Sequence, residues 1–222
     1  MKTTITLKTV LFIAAIFCLT QLSFAQDNNE NSEIGTLFNK DQNISHGGYA
    51  ALEFGYTPVA GRSAMLTGFQ TAWVIDHTLE LGINAKAFVT NPLPDVNLEN
   101  RNYMYTGGYG GLHIAATIMG DKPINVSFPV LLGAGAISYI RTEYTGYYDD
   151  FYPESHYAYF VIEPGIDVQL NMTRFFRISA GVSYRYTSDI YLIYSNTSTA
   201  SIASPSILRG VNASIKFKFG KF

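Results

Sequence analysis

Apolar and polar positions alternate along residues 157–170 and again along 176–186. In the first run Ala158, Phe160, Ile162, Pro164, Ile166, Val168 and Leu170 share one face. Tyr157, Tyr159, Val161, Glu163, Gly165, Asp167 and Gln169 take the other. In the second run Phe176, Ile178, Ala180, Val182, Tyr184 and Tyr186 oppose Arg177, Ser179, Gly181, Ser183 and Arg185. A period of two is that of a strand whose two faces meet different surroundings. Both runs exceed the ~5–6 residues of an ordinary strand. At ~3.3 Å per residue and a ~40° tilt, 176–186 covers about 25 Å, the height of a lipid-facing band. Aromatic rings stand at both ends of that face, where a membrane barrel carries its girdles. Joined by Asn171, Met172, Thr173 and Arg174, the two runs predict one hairpin of a membrane-spanning barrel.

The same pattern recurs to give eight strands, at 48–57, 63–75, 79–89, 103–118, 124–140, 157–170, 176–186 and 207–219. Connections after the second, fourth and sixth are short (76–78, 120–123, 171–174), whereas 90–102, 141–155 and 189–206 are long. Only 58–62 breaks that rule. Short turns at one end and long loops at the other mark an up-and-down barrel, and closure leaves no unpaired edge in lipid. The expected fold is all-β, an eight-stranded antiparallel up-and-down transmembrane β-barrel. Pro129 and Pro164 fall inside predicted strands and cannot donate to a ladder, so each predicts a bulge or a missing hydrogen bond.

At the start of the chain, Lys2 and Lys8 flank the beginning of an apolar run at 10–19, and Ser23 and Ala25 follow. A basic start, a short apolar core and small residues before the cut read as a signal peptide over 1–25. The run is too short for a membrane helix, which needs ~20 residues. Cys18, the single cysteine, lies inside it after Phe17, which argues against lipidation. The rest of the chain has no thiol for a disulfide or a metal. Residues 26–46 are polar and Asn-rich and read as a flexible periplasmic leader. The barrel takes 47–222. Charged residues make up 14% of the chain, against ~25% in soluble domains, and a formal charge of −2 gives nothing for nucleic acid to bind.

The eight amphipathic strands, the alternating loop lengths and the ending Ile215-Lys216-Phe217-Lys218-Phe219-Gly220-Lys221-Phe222 resemble the small outer-membrane barrels of the OmpA and OmpX type. The likeness covers 47–222 and rests on pattern rather than on a specific motif. It implies a Gram-negative outer membrane, with lipid and lipopolysaccharide as surroundings and the barrel-assembly machinery as a partner in biogenesis. A terminal Phe resembles the signal that machinery reads, although Phe222 is out of phase with Phe217 and Phe219. No peptidoglycan-binding domain follows, so no anchoring role is expected.

The polar faces carry four acids, Glu53, Glu80, Glu163 and Asp167, and five bases, Lys86, Arg177, Arg185, Lys216 and Lys218. Near balance of charge predicts a salt-bridged network inside the barrel, with an ion path as the alternative. If Thr173 sits opposite Asn171, Asp167 lies across from Arg177. The outer loop at 141–157 gathers Tyr144, Tyr147, Tyr148, Phe151 and Tyr152 with several acids, a surface suited to a protein or glycan partner or to packing on the barrel rim. Catalysis lacks a constellation. Ser155 and His156 are neighbours on an extended chain and point apart, and His46, His77, His113 and His156 are scattered. No cofactor or metal is expected. The reading is a non-enzymatic barrel with a side-chain-filled lumen that presents its outer loops. A narrow porin, a lipid-modifying enzyme and a soluble lipocalin-like barrel with its apolar face inside are the alternatives.

Overall fold

The structure, a computed structural model, describes residues 45–98, 101–144, 149–194 and 200–222, with the backbone alone over 143–144 and 149–153. Eight long strands follow the alternating segments: β1 (His46–Val59), β2 (Arg62–Ile75), β3 (Leu79–Thr90), β5 (Arg101–Ile118), β6 (Ile124–Tyr144), β7 (Asp149–Asn171), β8 (Phe176–Thr187) and β9 (Gly210–Lys221). A short strand, β4 (Leu93–Asp95), pairs with the start of β5. All pairings are antiparallel. β3 pairs with β5 and β9 pairs with β1, so the sheet closes.

Closure comes with a fixed stagger. Successive pairs lead from Asp167 through Gly181, Ser214, Gly55, Leu66, Phe88, Gly107 and Ile137 to Tyr157, ten positions along the strand of origin. That displacement tilts the strands to about 40° from the axis. Turns 76–78, 119–123 and 172–175 crowd one end. The early 58–62 exception is a tight turn at the other, with Ala60 and Gly61 at φ 53° and 72°, the left-handed pair a two-residue hairpin favours.

Two expectations about the connections need correction. Much of 141–155 is not loop, because Tyr139 to Tyr144 continue to pair with Asp149 to Ser155. A register shift after Tyr139 absorbs the extra residue. The described part of the connection 189–206 is not wholly exposed loop either, since Ile190, Leu192 and Tyr194 are buried while Tyr191 and Ile193 face out.

The prolines interrupt the ladder without shifting it. Pairing of β6 with β7 skips Phe128 and Pro129, then resumes at Val130↔Pro164 in the same register. Pairing of β7 with β8 skips Glu163 and Pro164, then resumes at Gly165↔Ser183. A missing N–H, not a bulge, is the cause.

The two faces of the sheet separate by polarity. Outward side chains include Ile83, Leu112, Phe160, Val182 and Phe219, all exposed. Inward ones include every acid and base predicted for the polar faces. Apolar outside and charged inside is the reverse of a soluble lipocalin-type barrel, whose apolar face lines the core.

Candidate functional site: the barrel interior

Glu53, Glu80, Lys86, Glu163, Asp167, Arg177, Arg185, Lys216 and Lys218 are all buried, at 7% exposure or less. Their strands bring them together because parity puts each on the inner face and the stagger decides who meets whom. Lys86 on β3 stands between two carboxylates, 2.9 Å from Glu53 Oε1 and 2.8 Å from Glu163 Oε1. Ser214 Oγ donates to Glu53 at 2.7 Å, while Ser183 Oγ and Tyr109 Oη each donate to Glu163 at 2.6 Å. Lys216 pairs with Asp167 at 2.6 Å. Lys218 reaches both oxygens of Glu80, at 3.3 and 3.2 Å. Glu80 also accepts from Tyr49 Oη and faces His113 Nε2 at 3.4 Å. Gln70 joins this group by bonding to Tyr49 and lying 2.9 Å from His113 Nε2. The four acids and three lysines pair with opposite charge, as a low-dielectric interior favours, whereas Arg177 and Arg185 donate to neutral groups.

Room for this network depends on a missing side chain. A Cβ on Gly181 would collide with Asp167 Oδ1. Glycine there lets the Asp167 carboxylate lie across the face of β8 toward Lys216. A void of about 20 Å³ remains among Lys86, His113, Glu163, Asp167, Ser183 and Lys216, room for about one water.

The expected Asp167–Arg177 pair does not form. Arg177 is across from Asn171, and Asp167 is across from Gly181. Five residues, not one, separate the paired positions Asn171 and Arg177, which slides the register by four. Met172 and Thr173 both donate their N–H to the Phe176 carbonyl, closing that wider turn. Arg177 donates instead to Asn171 Oδ1 and Gln169 Oε1. The outer-loop residues Tyr147 and Tyr148 lie outside the described residues, as do the side chains of Tyr144, Phe151 and Tyr152.

Toward the end with the long connections the interior turns apolar. Phe88, Tyr103, Tyr105, Tyr109, Leu131 and Tyr159 form one buried cluster, and Ile190, Leu192, Ile207 and Leu208 from the β8–β9 connection belong to it. Arg185, at 0% exposure, holds that connection down. Its Nε donates to the Leu208 carbonyl at 2.7 Å and an Nη to Thr57 Oγ1 at 3.0 Å, and its guanidinium lies 5.3 Å from the Phe88 and Tyr109 ring centres. Asp95 on β4 is a second tie. Tyr139 Oη and Tyr194 Oη donate to its Oδ2 at 2.8 and 2.9 Å, and the Asn97 N–H donates to Oδ1 at 2.9 Å. Burial raises the Asp95 carboxyl, but these hydrogen bonds outweigh it and hold the pKa below the ordinary value. Composition hid both ties. The signal available for the first was the alternation Ile190, Leu192, Tyr194 within an otherwise Ser/Thr-rich stretch.

Catalytic arrangements do not emerge from the candidate residues. Ser155 Oγ accepts the Ile193 N–H at 3.3 Å, and His156 is exposed. Among the described residues no three His, Cys, Asp or Glu side chains are placed to hold a metal. His113 is a hydrogen-bonding residue of the interior.

Fold and interior together define an eight-stranded closed antiparallel barrel with a paired-charge interior and an apolar exterior. Among solved structures, the crystal structure of Neisserial surface protein A is similar, with a TM-score of 0.53 at 12% identity over 82% of this chain and 100% of that one. Two structures of the Yersinia pestis outer membrane protein Ail are also similar. One, in a phospholipid bilayer nanodisc, has a TM-score of 0.35 at 11% identity over 78% of this chain and 99% of that one. The other, in complex with the heparin analogue sucrose octasulfate, has 0.39 at 11% over 79% and 96%. No protein-family model and no curated protein matches the chain. The likeness to the Neisserial protein is one of fold.

Proposed function

We propose that the protein is an outer-membrane barrel of a Gram-negative bacterium that neither conducts nor catalyses. Its outer connections present a surface for envelope integrity or for binding a protein or glycan. Membrane lipid covers the apolar belt, lipopolysaccharide surrounds the outer rim, and the barrel-assembly machinery inserts the chain after its signal peptide is cut. The observation that carries this reading is Lys86 clamped between Glu53 and Glu163 from two other strands, beneath an apolar layer that the β8–β9 connection completes. An eight-stranded lumen is just wide enough for side chains to fill. Planar-bilayer recordings on the purified protein are expected to show no stable unitary conductance. Reproducible channel steps would overturn the reading.

A narrow channel is the second reading. The side-chain amides of Asn125 and Asn212 are buried without a protein hydrogen-bond partner, and such atoms are places where water binds. Steps in conductance that vanish when Lys86 is replaced would favour it.

A further inference from the structure

At the short-turn end an open cavity of about 520 Å³ lies among the turns and the last residues of β9, lined among others by His77, Arg174, Phe175, Arg177, Lys221 and Phe222. Three of these are permanent cations. Asp121, an acid in the same lining, has its carboxylate 3.0 Å from Lys122 Nζ. Arg177 is the unusual member. At 2% exposure it is out of water, yet its hydrogen bonds go to the neutral side chains Asn171 and Gln169. The Phe222 ring lies over the guanidinium at 4.1 Å. The nearby Glu80 carboxylate is taken by Lys218, Tyr49 and His113. A desolvated guanidinium is ordinarily compensated by an anion, and among the described residues no carboxylate is within ion-pair distance of Arg177. With Nε and one Nη engaged, its remaining Nη N–H groups suit an oxyanion, and Arg174 and Lys221 are exposed in the same lining. Phe175, 68% exposed, adds an apolar wall.

We propose that this cavity binds a phosphate group, with Arg177 as the contact at its floor and Arg174 and Lys221 closing on it from the rim. Three cations around one site match the ~1.5–2 negative charges of a phosphate monoester better than the single charge of a carboxylate. The same chemistry belongs to free phosphate and to the phosphomonoester headgroup of phosphatidic acid.

The test uses the full chain, folded in micelles of an uncharged detergent at constant ionic strength. Inorganic phosphate and a short-chain phosphatidic acid are titrated separately, and the arginine Nε–H signals are followed by NMR. A saturable shift of the Arg177 signal is expected with at least one of them. A shift with phosphate identifies a soluble ligand, and a shift with the lipid alone identifies a headgroup. The double variant R174A/K221A changes only exposed rim residues, and is expected to stay folded by its heat-modifiable migration on gels while binding about tenfold more weakly or worse. Three results would overturn the proposal: no saturable shift with either probe, an equal shift with chloride, or unchanged affinity in the double variant.

Discussion

Lys86 Nζ and Glu163 Oε1 meet at 2.8 Å across the barrel although they stand 77 positions apart in the sequence. Glu53 shares the same ammonium at 2.9 Å, so one lysine serves two carboxylates. Removing a partner from a buried charge pair leaves uncompensated charge, at a cost of about 3–5 kcal/mol. Lys86→Met is therefore expected to lower the stability of the folded barrel by that amount, read from urea unfolding in lipid vesicles. A loss below about 1 kcal/mol would show that the two carboxylates find other partners.

Val182 and Ser183 are neighbours on β8 with opposite surroundings. Val182 is 54% exposed on the apolar side, while Ser183 donates to Glu163 inside. Val182→Arg should impair insertion by about 2–4 kcal/mol near the bilayer midplane. Ser183→Ala should lose one hydrogen bond to a charged group, about 1.5–3 kcal/mol of stability, with no insertion defect that depends on bilayer thickness. Refolding titrations into vesicles of different chain length separate the two. Equal thickness dependence would remove the assignment of inner and outer faces.

Arg185 joins the Leu208 carbonyl and Thr57, and so ties the β8–β9 connection to β1. Arg185→Ala should loosen that connection, making it a site of limited proteolysis in the folded barrel and introducing a leak in planar bilayers. A variant as resistant and as silent as the parent would show that Ile190, Leu192 and Leu208 hold the connection unaided.

Asp95 supplies a pH dependence whose sign follows from its depressed pKa. A carboxyl held below its unfolded value of ~3.9 adds stability that is fully present above that value and is lost as pH falls through the folded one. Protection of the β8–β9 connection from an acid-active protease should therefore be flat from neutral pH down to about pH 4 and fall below it. Asp95→Asn keeps the shape without the charge, and should weaken the tie at neutral pH and flatten the fall. A variant with the parent's acid profile would move the titration elsewhere.

Parity along a strand is legible in residue order alone, and it puts Lys86, Glu163 and Arg185 on one side of the sheet. Parity says nothing of offset. The turn after Asn171 is held by two N–H groups converging on the Phe176 carbonyl, and only that geometry puts Arg177 opposite Asn171. The Ser/Thr content of 189–206 conceals Ile190 and Leu192, whose burial depends on an apolar cluster contributed by six other strands. The ladder gaps beside Pro129 and Pro164 are legible for a simpler reason. A missing N–H belongs to the residue type and needs no partner to be known.

The ten-position stagger limits what can be exchanged between barrels. Grafting β5, β6 and β7 onto another eight-stranded scaffold with a different stagger could preserve every turn and every alternation. It would still leave Glu163 facing a scaffold residue out of phase with the place Lys86 holds on β3 here. In such a chimaera each strand would be correct in isolation, and the fault would lie wholly in the phase between them.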